Sequence, residues 1–308
     1  MGLGQVTAAD AGTWKLGDLE VNRLGFGAMR LPQTGRALVP DAVPRDRDQA
    51  IAVLRRAIEL GVNHIDTAAF YFSPLRSANE LINSALAPYP DDLVIVTKVG
   101  PGRDPWGEWT NRARPDQLRG QVEENLRQLG RDHLDVVNLR VMRGQTSIAE
   151  HVGALAELQQ AGLIRYLGVA GVTPELLAEA QSVAPVVCVQ NRYGIGASTT
   201  EQKTGEHEFV DACGRAGVAF VPYFTIAGKG GGAGVTGAEN ADVLAVAEAH
   251  DATPAQVRLA WALQRGPHVL VIPGTGDPDH LAANVAAAGL RLTADEMTRL
   301  TSVASAGK

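Results

Sequence analysis

The sequence predicts an α/β protein folded as one closed (β/α)8 TIM barrel over residues 1–308, with an N-terminal β-hairpin across its bottom. Eight short apolar runs centre near residues 26, 65, 96, 137, 167, 188, 220 and 270. Each run is followed by a helical pattern or by a helix and a loop. Several runs are almost continuously apolar, as expected for parallel strands buried on both faces. Eight such units favour a closed barrel.

A doubly wound open sheet is the alternative that shares this alternation. The first glycine-containing strand, LGFGAM at residues 24–29, does not open a helix with a G-x-G-x-x-G motif. That motif is what a dinucleotide-binding βαβ unit would show. No linker divides the chain, so we expect a single barrel domain.

The first predicted element is the hairpin TWKLGDLEVNRL at residues 13–24, which has Gly17 and Asp18 at its turn. Residues 32–47 contain Pro and Arg and are predicted to form a loop. Capping-box patterns predict the starts of several later helices. The pairs are Ser77 with Glu80, Ser147 with Glu150, and Thr253 with Gln256.

Composition narrows the class of protein. The formal net charge is −6 with 45% hydrophobic and 20% charged residues, and no basic block is present. A nucleic-acid or anionic-membrane surface is therefore not expected, and no apolar run approaches the ~20 residues of a membrane span. Cys188 and Cys213 are interpreted as buried thiols in a reducing compartment, which predicts the cytoplasm. No metal site is predicted.

The chemistry-bearing residues follow two neighbouring strands. NHIDTAAFY at residues 63–71 carries Asp66 and Tyr71, and LVIVTKVG at residues 93–100 carries Lys98. In a barrel, active sites collect at the carboxyl ends of the strands. A free phenol has a pKa of ~10, and a nearby ammonium lowers it. We therefore expect Asp66 to hold Lys98, and Lys98 to make Tyr71 a proton donor near neutral pH.

These motifs, HIDTAAFY followed by VTKVG, resemble the aldo-keto reductase family. The resemblance runs from LGFGAMRL to IPGTGDPDHLAANVAA, and LDVVNLR, LGVAGVTPE, VCVQNRY and VPYF fall where the family has segments. It is greatest for the bacterial pyridoxal reductase or pyridoxine 4-dehydrogenase branch. The resemblance implies a (β/α)8 barrel that interconverts a small aldehyde or ketone and an alcohol with NADPH, with NADH as the other possibility. It also implies that Tyr71 is the general acid and that Asp66 and Lys98 tune it.

The resemblance implies a cofactor groove as well. Gln190 is expected to contact the nicotinamide carboxamide, and Tyr223 to stack on the ring. Glycines from Gly228 onward (GKGGGAG, residues 228–234) are expected to wrap the pyrophosphate through their backbone N–H groups. The complete set of expected cofactor residues is Gly27, Ala28, Asp66, Gln190, Tyr223, Phe224, Thr225, Ile226, Gly228, Gly274, Thr275, His280 and Asn284. Met29, Trp106 and Trp109 are expected to line the substrate pocket.

Three positions depart from the family pattern. Arg140 stands where the family usually has a histidine. Arginine stays protonated, so it can stabilise an oxyanion or clamp an anionic substrate group but cannot shuttle a proton; an ion pair with a neighbouring carboxylate is the structural alternative. Ala170 and Gly171 replace the family's Ser-Asn pair, which holds the carboxamide. Thr275 and His280 stand where K-S-x-x-x-x-R binds the 2′-phosphate.

Two other functions remain open at this point. One is a regulatory or interaction protein that binds a nicotinamide cofactor with little turnover, which the altered residues at 140, 170 and 171 favour. The other is a non-redox barrel enzyme, such as an isomerase, that uses Lys98 as an amine nucleophile. The intact set of Asp66, Tyr71 and Lys98 favours the reductase.

Overall fold

The computed structural model of the chain describes residues 5–110, 112–196, 205–227 and 239–306. A seven-stranded parallel sheet forms its centre, in the order β13-β12-β11-β10-β9-β6-β3. The strands in chain order are β1 (Thr13–Leu16), β2 (Leu19–Asn22), β3 (Phe26–Gly27), β4 (Gln33–Thr34), β5 (Val43–Pro44), β6 (His64–Asp66), β7 (Phe72–Ser73), β8 (Arg76–Ser77), β9 (Val94–Val99), β10 (Leu134–Arg140), β11 (Ile164–Ala170), β12 (Val186–Arg192) and β13 (Ala219–Tyr223).

Residues 269–273 close this sheet into a barrel. Val269 bridges Phe220 on β13, and Val271 bridges Leu24 just before β3, both in parallel. The predicted eighth strand, residues 268–274, therefore occupies its expected place but forms only isolated bridges. Pro273 has no N–H with which to extend the ladder.

Strand β3, the first strand of the barrel, and the closing segment 269–273 approach each other very closely at two glycines. A Cβ on Gly27 would lie 2.6 Å from the carbonyl oxygen of Ile272, and one on Gly274 would lie 2.3 Å from the carbonyl oxygen of Gly27. A side chain at either position would push the strands apart. Both glycines are therefore required by the closure of the barrel.

The predicted hairpin forms and closes the amino-terminal end of the barrel. In β1 and β2, Trp14 pairs with Val21 and Leu16 with Leu19. Leu16 and Val21 are fully buried against the barrel interior, where Val94 and Val136 begin the inward-facing rows of their strands. Since the bottom is filled by side chains, a ligand can enter only from the opposite mouth.

Ten helices among the described residues surround the sheet, close to where the sequence predicts them. They are α1 (Arg47–Glu59), α2 (Ala78–Leu86), α3 (Leu118–Leu129), α4 (Ala149–Gln160), α5 (Pro174–Val183), α6 (Glu206–Arg215), α7 (Ala241–Ala249), α8 (Pro254–Gln264), α9 (Pro278–Ala286) and α10 (Ala294–Ala306). No helix in the described ranges is long and apolar enough to cross a membrane.

The capping predictions have mixed outcomes. The Ser77 hydroxyl accepts from Glu80 N, and Thr253 and Gln256 form a reciprocal capping box at α8. The prediction for Ser147 is wrong, because its hydroxyl donates to Glu179 Oε1 at 2.5 Å on the neighbouring helix α5. A tertiary partner outcompetes the local cap.

Candidate active site

The mouth of the barrel contains a cavity of about 1060 Å³. Alternation along the strands aims Asp66, Lys98, Arg140 and Gln190 into it, as predicted for residues at strand ends. The same alternation places His64 and Asn138 one layer deeper, where both are fully buried. Polar groups from four strands thus converge on one opening.

Asp66 and Lys98 form a buried ion pair at the floor of this cavity. Lys98 Nζ donates to Asp66 Oδ1 at 2.6 Å and to the carbonyl oxygen of Thr67 at 3.0 Å. The second carboxylate oxygen of Asp66 accepts from Gln190 Nε2 at 2.8 Å. Burial by itself lowers the pKa of the Lys98 amine, but Asp66 and Tyr71 beside it outweigh burial and leave that pKa raised. Lys98 therefore stays an ammonium.

Tyr71 lies beside that ammonium, as the sequence predicts. Lys98 Nζ is 5.0 Å from the centroid of the Tyr71 ring, and the phenol is almost completely buried. The expected direction of its pKa is wrong for this structure. Burial raises the pKa of Tyr71 above its ordinary value, although Lys98 and Arg140 act to lower it. The phenol therefore keeps its proton at neutral pH.

A buried chain of amides and hydroxyls supports the strands that carry the pair. Thr67 Oγ1 donates to Asn79 Oδ1 at 2.8 Å, and Asn79 Nδ2 donates to Asn125 Oδ1 at 3.0 Å. Thr97, the residue before Lys98, donates to the same Asn125 oxygen at 2.6 Å. Because Thr67 and Thr97 each adjoin a catalytic candidate, this network fixes the backbones of β6 and β9 relative to each other.

Arg103 is a site residue that the sequence does not reveal. Its guanidinium donates to the carbonyl oxygens of Phe70 and Phe72 at 3.4 and 2.6 Å, on the two sides of Tyr71. It also donates to the carbonyl oxygens of Gly107 and Val39, at 2.9 and 3.2 Å. Two mouth loops, the one with Arg103 and Gly107 and the one with Val39, are thereby tied to the segment that carries Tyr71. No local motif marks such an arginine, because its partners are distant backbone atoms.

The residues predicted to contact the nicotinamide lie together on the cavity wall. Gln190, Tyr223 and Phe224 line the cavity beside Asp66. Phe224 has φ of +61°, an uncommon conformation for a bulky residue and one that often marks a functional turn. The turn it starts is closed by Ala227 N donating to the carbonyl oxygen of Phe224 at 3.0 Å. Thr225 and Ile226 also line the cavity there.

Not every predicted cofactor residue can be placed on the cavity wall. Gly27, Gly274, Thr275, His280 and Asn284 line the cavity. Ala28 is fully buried in a short 3-10 helix and does not line the cavity, so its contact with the cofactor stays a prediction. Gly228 and the glycine-rich stretch at residues 228–234 lie outside the described residues, so their predicted contact with the pyrophosphate stays a prediction.

Two arginines that no sequence motif marks line the part of the cavity predicted to hold the adenosine. Arg45 donates to the carbonyl oxygens of Gly276 at 3.1 Å and Gln33 at 3.0 Å. Arg30 also lines this end of the cavity, and its charge acts on Arg45. Arg45 comes from the segment predicted only as a loop, so its nearness to Gly276 is visible only in the fold. Together they place two cations near Thr275 and His280.

The predicted substrate wall is partly correct. Met29 and Trp109 line the cavity, and Trp109 packs against Phe70 with ring centroids 5.7 Å apart. Trp106 is a correction, since it is 78% exposed and lies off the cavity wall. Its backbone N–H is held by Asp104 Oδ1 at 3.0 Å, and this turn directs the ring toward solvent.

Arg140 lies at the end of β10, the strand that pairs with the Lys98 strand β9. Its Nη2 donates to the Tyr223 hydroxyl at 3.5 Å, and its guanidinium carbon is 5.4 Å from the centroid of that ring. Among the described residues no carboxylate lies within 4.0 Å of Arg140. The alternative of a structural ion pair therefore has no partner in that part of the chain, and the guanidinium is left to face the cavity.

Comparison with known proteins decides the family. Residues 23–305 match the Aldo/keto reductase family. The chain belongs to the aldo/keto reductase family. It is therefore an oxidoreductase that acts on carbonyl and alcohol groups, and the predictions of the enzyme class, the nicotinamide cofactor and the barrel fold are confirmed.

Two curated relatives cover nearly the whole reductase. Pyridoxine 4-dehydrogenase of Escherichia coli K12 is 44% identical over 294 residues, which are 94% of this chain and 96% of that protein. An uncharacterized oxidoreductase of Schizosaccharomyces pombe is 36% identical over 295 residues, covering 96% and 90% of the two chains.

Solved structures of reductases share the fold. A thermostable aldo-keto reductase solved with the inhibitor epalrestat has a TM-score of 0.75 at 30% identity, covering 94% of this chain and 99% of that one. A Klebsiella pneumoniae aldo/keto reductase solved with NADP and acetate has a TM-score of 0.72 at 26% identity, covering 93% and 92%.

Proposed function

We propose that this reductase uses NADP to interconvert small aldehydes, pyridoxal among them, with their alcohols, and that Tyr71 is the general acid. The observation that carries the proposal is the buried Asp66–Lys98 pair beside the Tyr71 phenol at the floor of an otherwise open cavity. Because the pKa of Lys98 is raised, the pair keeps a cation next to the phenol at neutral pH. A carbonyl oxygen that enters the cavity meets the phenol there.

The residues of the chain divide the chemistry between them. The Tyr71 hydroxyl donates its proton to the substrate oxygen, and Lys98 stabilises the phenolate that remains. Asp66 keeps Lys98 charged and in place, and Arg140 stabilises negative charge that develops on the same oxygen. When bound, the reduced nicotinamide supplies the hydride. Because burial raises the pKa of Tyr71, the protonated form that reduction needs is the form present at neutral pH.

The cavity suits a dinucleotide with a 2′-phosphate. Its lining includes both Asp66 and Asn284, and its volume is near the upper end for small-molecule sites. Gln190 uses one amide N–H on Asp66, so its carbonyl oxygen and second N–H remain for the carboxamide. Arg30 and Arg45 add cations at the adenosine end, where the family's lysine and arginine are absent. These cations favour NADP over NAD.

Two observations support a planar aromatic aldehyde as the substrate. Met29, Phe70, Trp109 and Tyr223 give the mouth flat apolar walls that suit a planar ring. The relative from Escherichia coli, 44% identical, is a pyridoxine 4-dehydrogenase. A planar aromatic aldehyde such as pyridoxal fits both observations.

The alternative of an amine nucleophile is not supported by the geometry. A nucleophilic lysine must lose its proton, which burial away from other charges promotes. Lys98 instead donates to Asp66 and to a backbone carbonyl, and its pKa is raised. It is built to remain charged.

The test measures NADPH oxidation with a panel of aldehydes that includes pyridoxal, for wild type and Tyr71→Phe. We expect turnover in wild type and a loss of roughly 10²–10⁴-fold in kcat in Tyr71→Phe, the range of general acid catalysis. NADPH affinity, measured by fluorescence titration, should change less than about threefold, since the phenol is not needed to hold the dinucleotide. Equal turnover in the two proteins would refute Tyr71 as the acid.

A further inference from the structure

The backbone at Gly171 adjoins the guanidinium of Arg140. An ideal Cβ built on Gly171 would lie 2.1 Å from Arg140 Nη1, 3.1 Å from the carbonyl oxygen of Val141 and 3.2 Å from Arg140 Cζ, so the severe overlap is with the guanidinium. Gly171 also has φ of +73°, a conformation that side chains other than asparagine and aspartate seldom adopt. The place where a side chain at position 171 would begin is therefore occupied by Arg140.

Gly171 cannot retreat from Arg140, because its backbone is held from the other side. Asn191 Oδ1 accepts from Gly171 N at 2.9 Å and from Val172 N at 3.1 Å. Asn191 Nδ2 donates to the carbonyl oxygen of Val172 at 2.7 Å. The carbonyl oxygen of Gln190 also accepts from Gly171 N, at 3.0 Å. A side chain added at position 171 would consequently displace the guanidinium and not the loop.

The guanidinium has few other restraints. Within the described ranges its one hydrogen bond, to the Tyr223 hydroxyl, is long at 3.5 Å, and no carboxylate there pairs with it. The absence of a side chain at Gly171 is thus the main feature that lets Arg140 lie back against the mouth wall. A side chain there would push the cation toward the cavity that the dinucleotide enters.

We propose that Gly171 is a positioning residue for Arg140, so that the two departures from the family pattern are one coupled change. The missing side chain at position 171 admits the guanidinium. In turn, the guanidinium occupies the volume from which the family's asparagine would hold the carboxamide. The expected effect on catalysis rests on the proposed function. The expected clash between Arg140 and a side chain at position 171 depends only on the distance between them.

A double-mutant cycle tests the coupling with Gly171→Asn, Arg140→His and the double variant. Asparagine is chosen because it tolerates positive φ better than other side chains. Gly162→Asn is the matched control, because Gly162 has φ of +78° and no atom within 4 Å of its Cβ position. For each protein, the NADPH dissociation constant, kcat/KM for pyridoxal and the thermal midpoint are measured.

We expect Gly171→Asn alone to weaken NADPH binding and lower kcat/KM, each by about tenfold or more. In the Arg140→His background the same change should cost less than about threefold, because the clashing group is gone. Gly162→Asn should leave both constants within about twofold of wild type. The thermal midpoint should fall by a similar amount for Gly171→Asn in both backgrounds, since the backbone strain is the same.

Each outcome decides the inference. Equal costs of Gly171→Asn in the two backgrounds would overturn the pairing, and so would wild-type NADPH affinity in the single variant. If wild type oxidises no NADPH with any aldehyde, the proposed function fails instead. The dissociation constants then still decide whether Gly171 positions Arg140.

Discussion

Two neighbouring sides of the cavity mouth are built in opposite ways. On one side, Asp66 and Lys98 are buried, hydrogen-bonded to each other and to Gln190 and Thr67, and backed by the Thr67–Asn79–Asn125–Thr97 network. On the side formed by the end of β10, Arg140 has one long hydrogen bond to the described residues and rests against a glycine. The first side depends on satisfied charges, whereas the second depends on available space. Substitutions should therefore reduce both stability and activity on the first side, but mainly activity on the second.

The largest expected effect is from Lys98→Met. Removing one partner leaves the Asp66 carboxylate buried and unpaired, which costs about 3–5 kcal/mol of unfolding free energy. The Tyr71 phenolate also loses its cation, so kcat should fall by about 10²–10⁴-fold. Urea unfolding and NADPH oxidation measure the two losses separately.

The control for this prediction is the double variant Asp66→Asn with Lys98→Met, which buries no charge. We expect it to recover a large part of the stability and none of the activity. Recovery of both would mean that the pair is not needed for catalysis, and recovery of neither would mean that the site tolerates only the native pair.

The next effect separates the two directions of the reaction by pH. The pKa of Tyr71 is raised, so the protonated acid for reduction is present throughout the neutral range, whereas the phenolate base for alcohol oxidation becomes populated only as the pH rises. We expect kcat for reduction to be flat between about pH 6 and 8. Over that range kcat for oxidation of the alcohol should rise. A flat oxidation profile would assign the base to another group.

Arg140→Met should have an intermediate effect. Loss of one donor to a developing oxyanion costs about 10–10³-fold in kcat. Since Arg140 has no buried carboxylate partner in the described parts of the chain, the free energy of unfolding should change by less than about 1 kcal/mol. An unchanged kcat with pyridoxal would contradict the role of Arg140. A large loss of stability would contradict the contrast between the two sides.

The smallest expected effect concerns His64, one layer below Asp66. Burial lowers the pKa of His64 to about 4, and neither ring nitrogen has a hydrogen-bond partner among the described residues. The folded state therefore binds fewer protons than the unfolded state between about pH 4 and 6.5. Stability that is present above pH 6.5 is lost as the pH falls through that window. From pH 6.5 to pH 5, His64 should contribute a loss of roughly 1.5 kcal/mol.

The measurement compares the urea midpoints of wild type and His64→Leu at the two pH values. We expect a shallower pH dependence in the variant, because leucine cannot take up a proton. Identical slopes would show that His64 keeps an ordinary pKa in the folded protein. In that case water should also reach the Asp66–Lys98 ion pair, which lies one layer nearer the mouth.

Sequence patterns predicted correctly those features that depend on interactions between residues near one another in the chain. Apolar runs, capping residues and the Gly17 turn predicted nearly all of the helices, the hairpin and the central strands. The Asp66, Tyr71 and Lys98 spacing placed the acid side of the site, because parallel strands end at one edge. The Ser147 cap failed because a tertiary partner, Glu179, binds the hydroxyl. The eighth strand took its predicted place but pairs only through isolated bridges, where Pro273 has no N–H to donate.

The sequence by itself determined which residues stand at the ends of the strands, and hence the chemical character of the mouth. Tertiary structure alone decided the direction of the Tyr71 pKa, the outward turn of Trp106, the nearness of Arg45 to Gly276 and the contact between Arg140 and Gly171. Burial and close contacts depend on atoms from residues that are far apart in the sequence. Spacing and residue type do not contain that information, so these features became visible only once the strands were side by side.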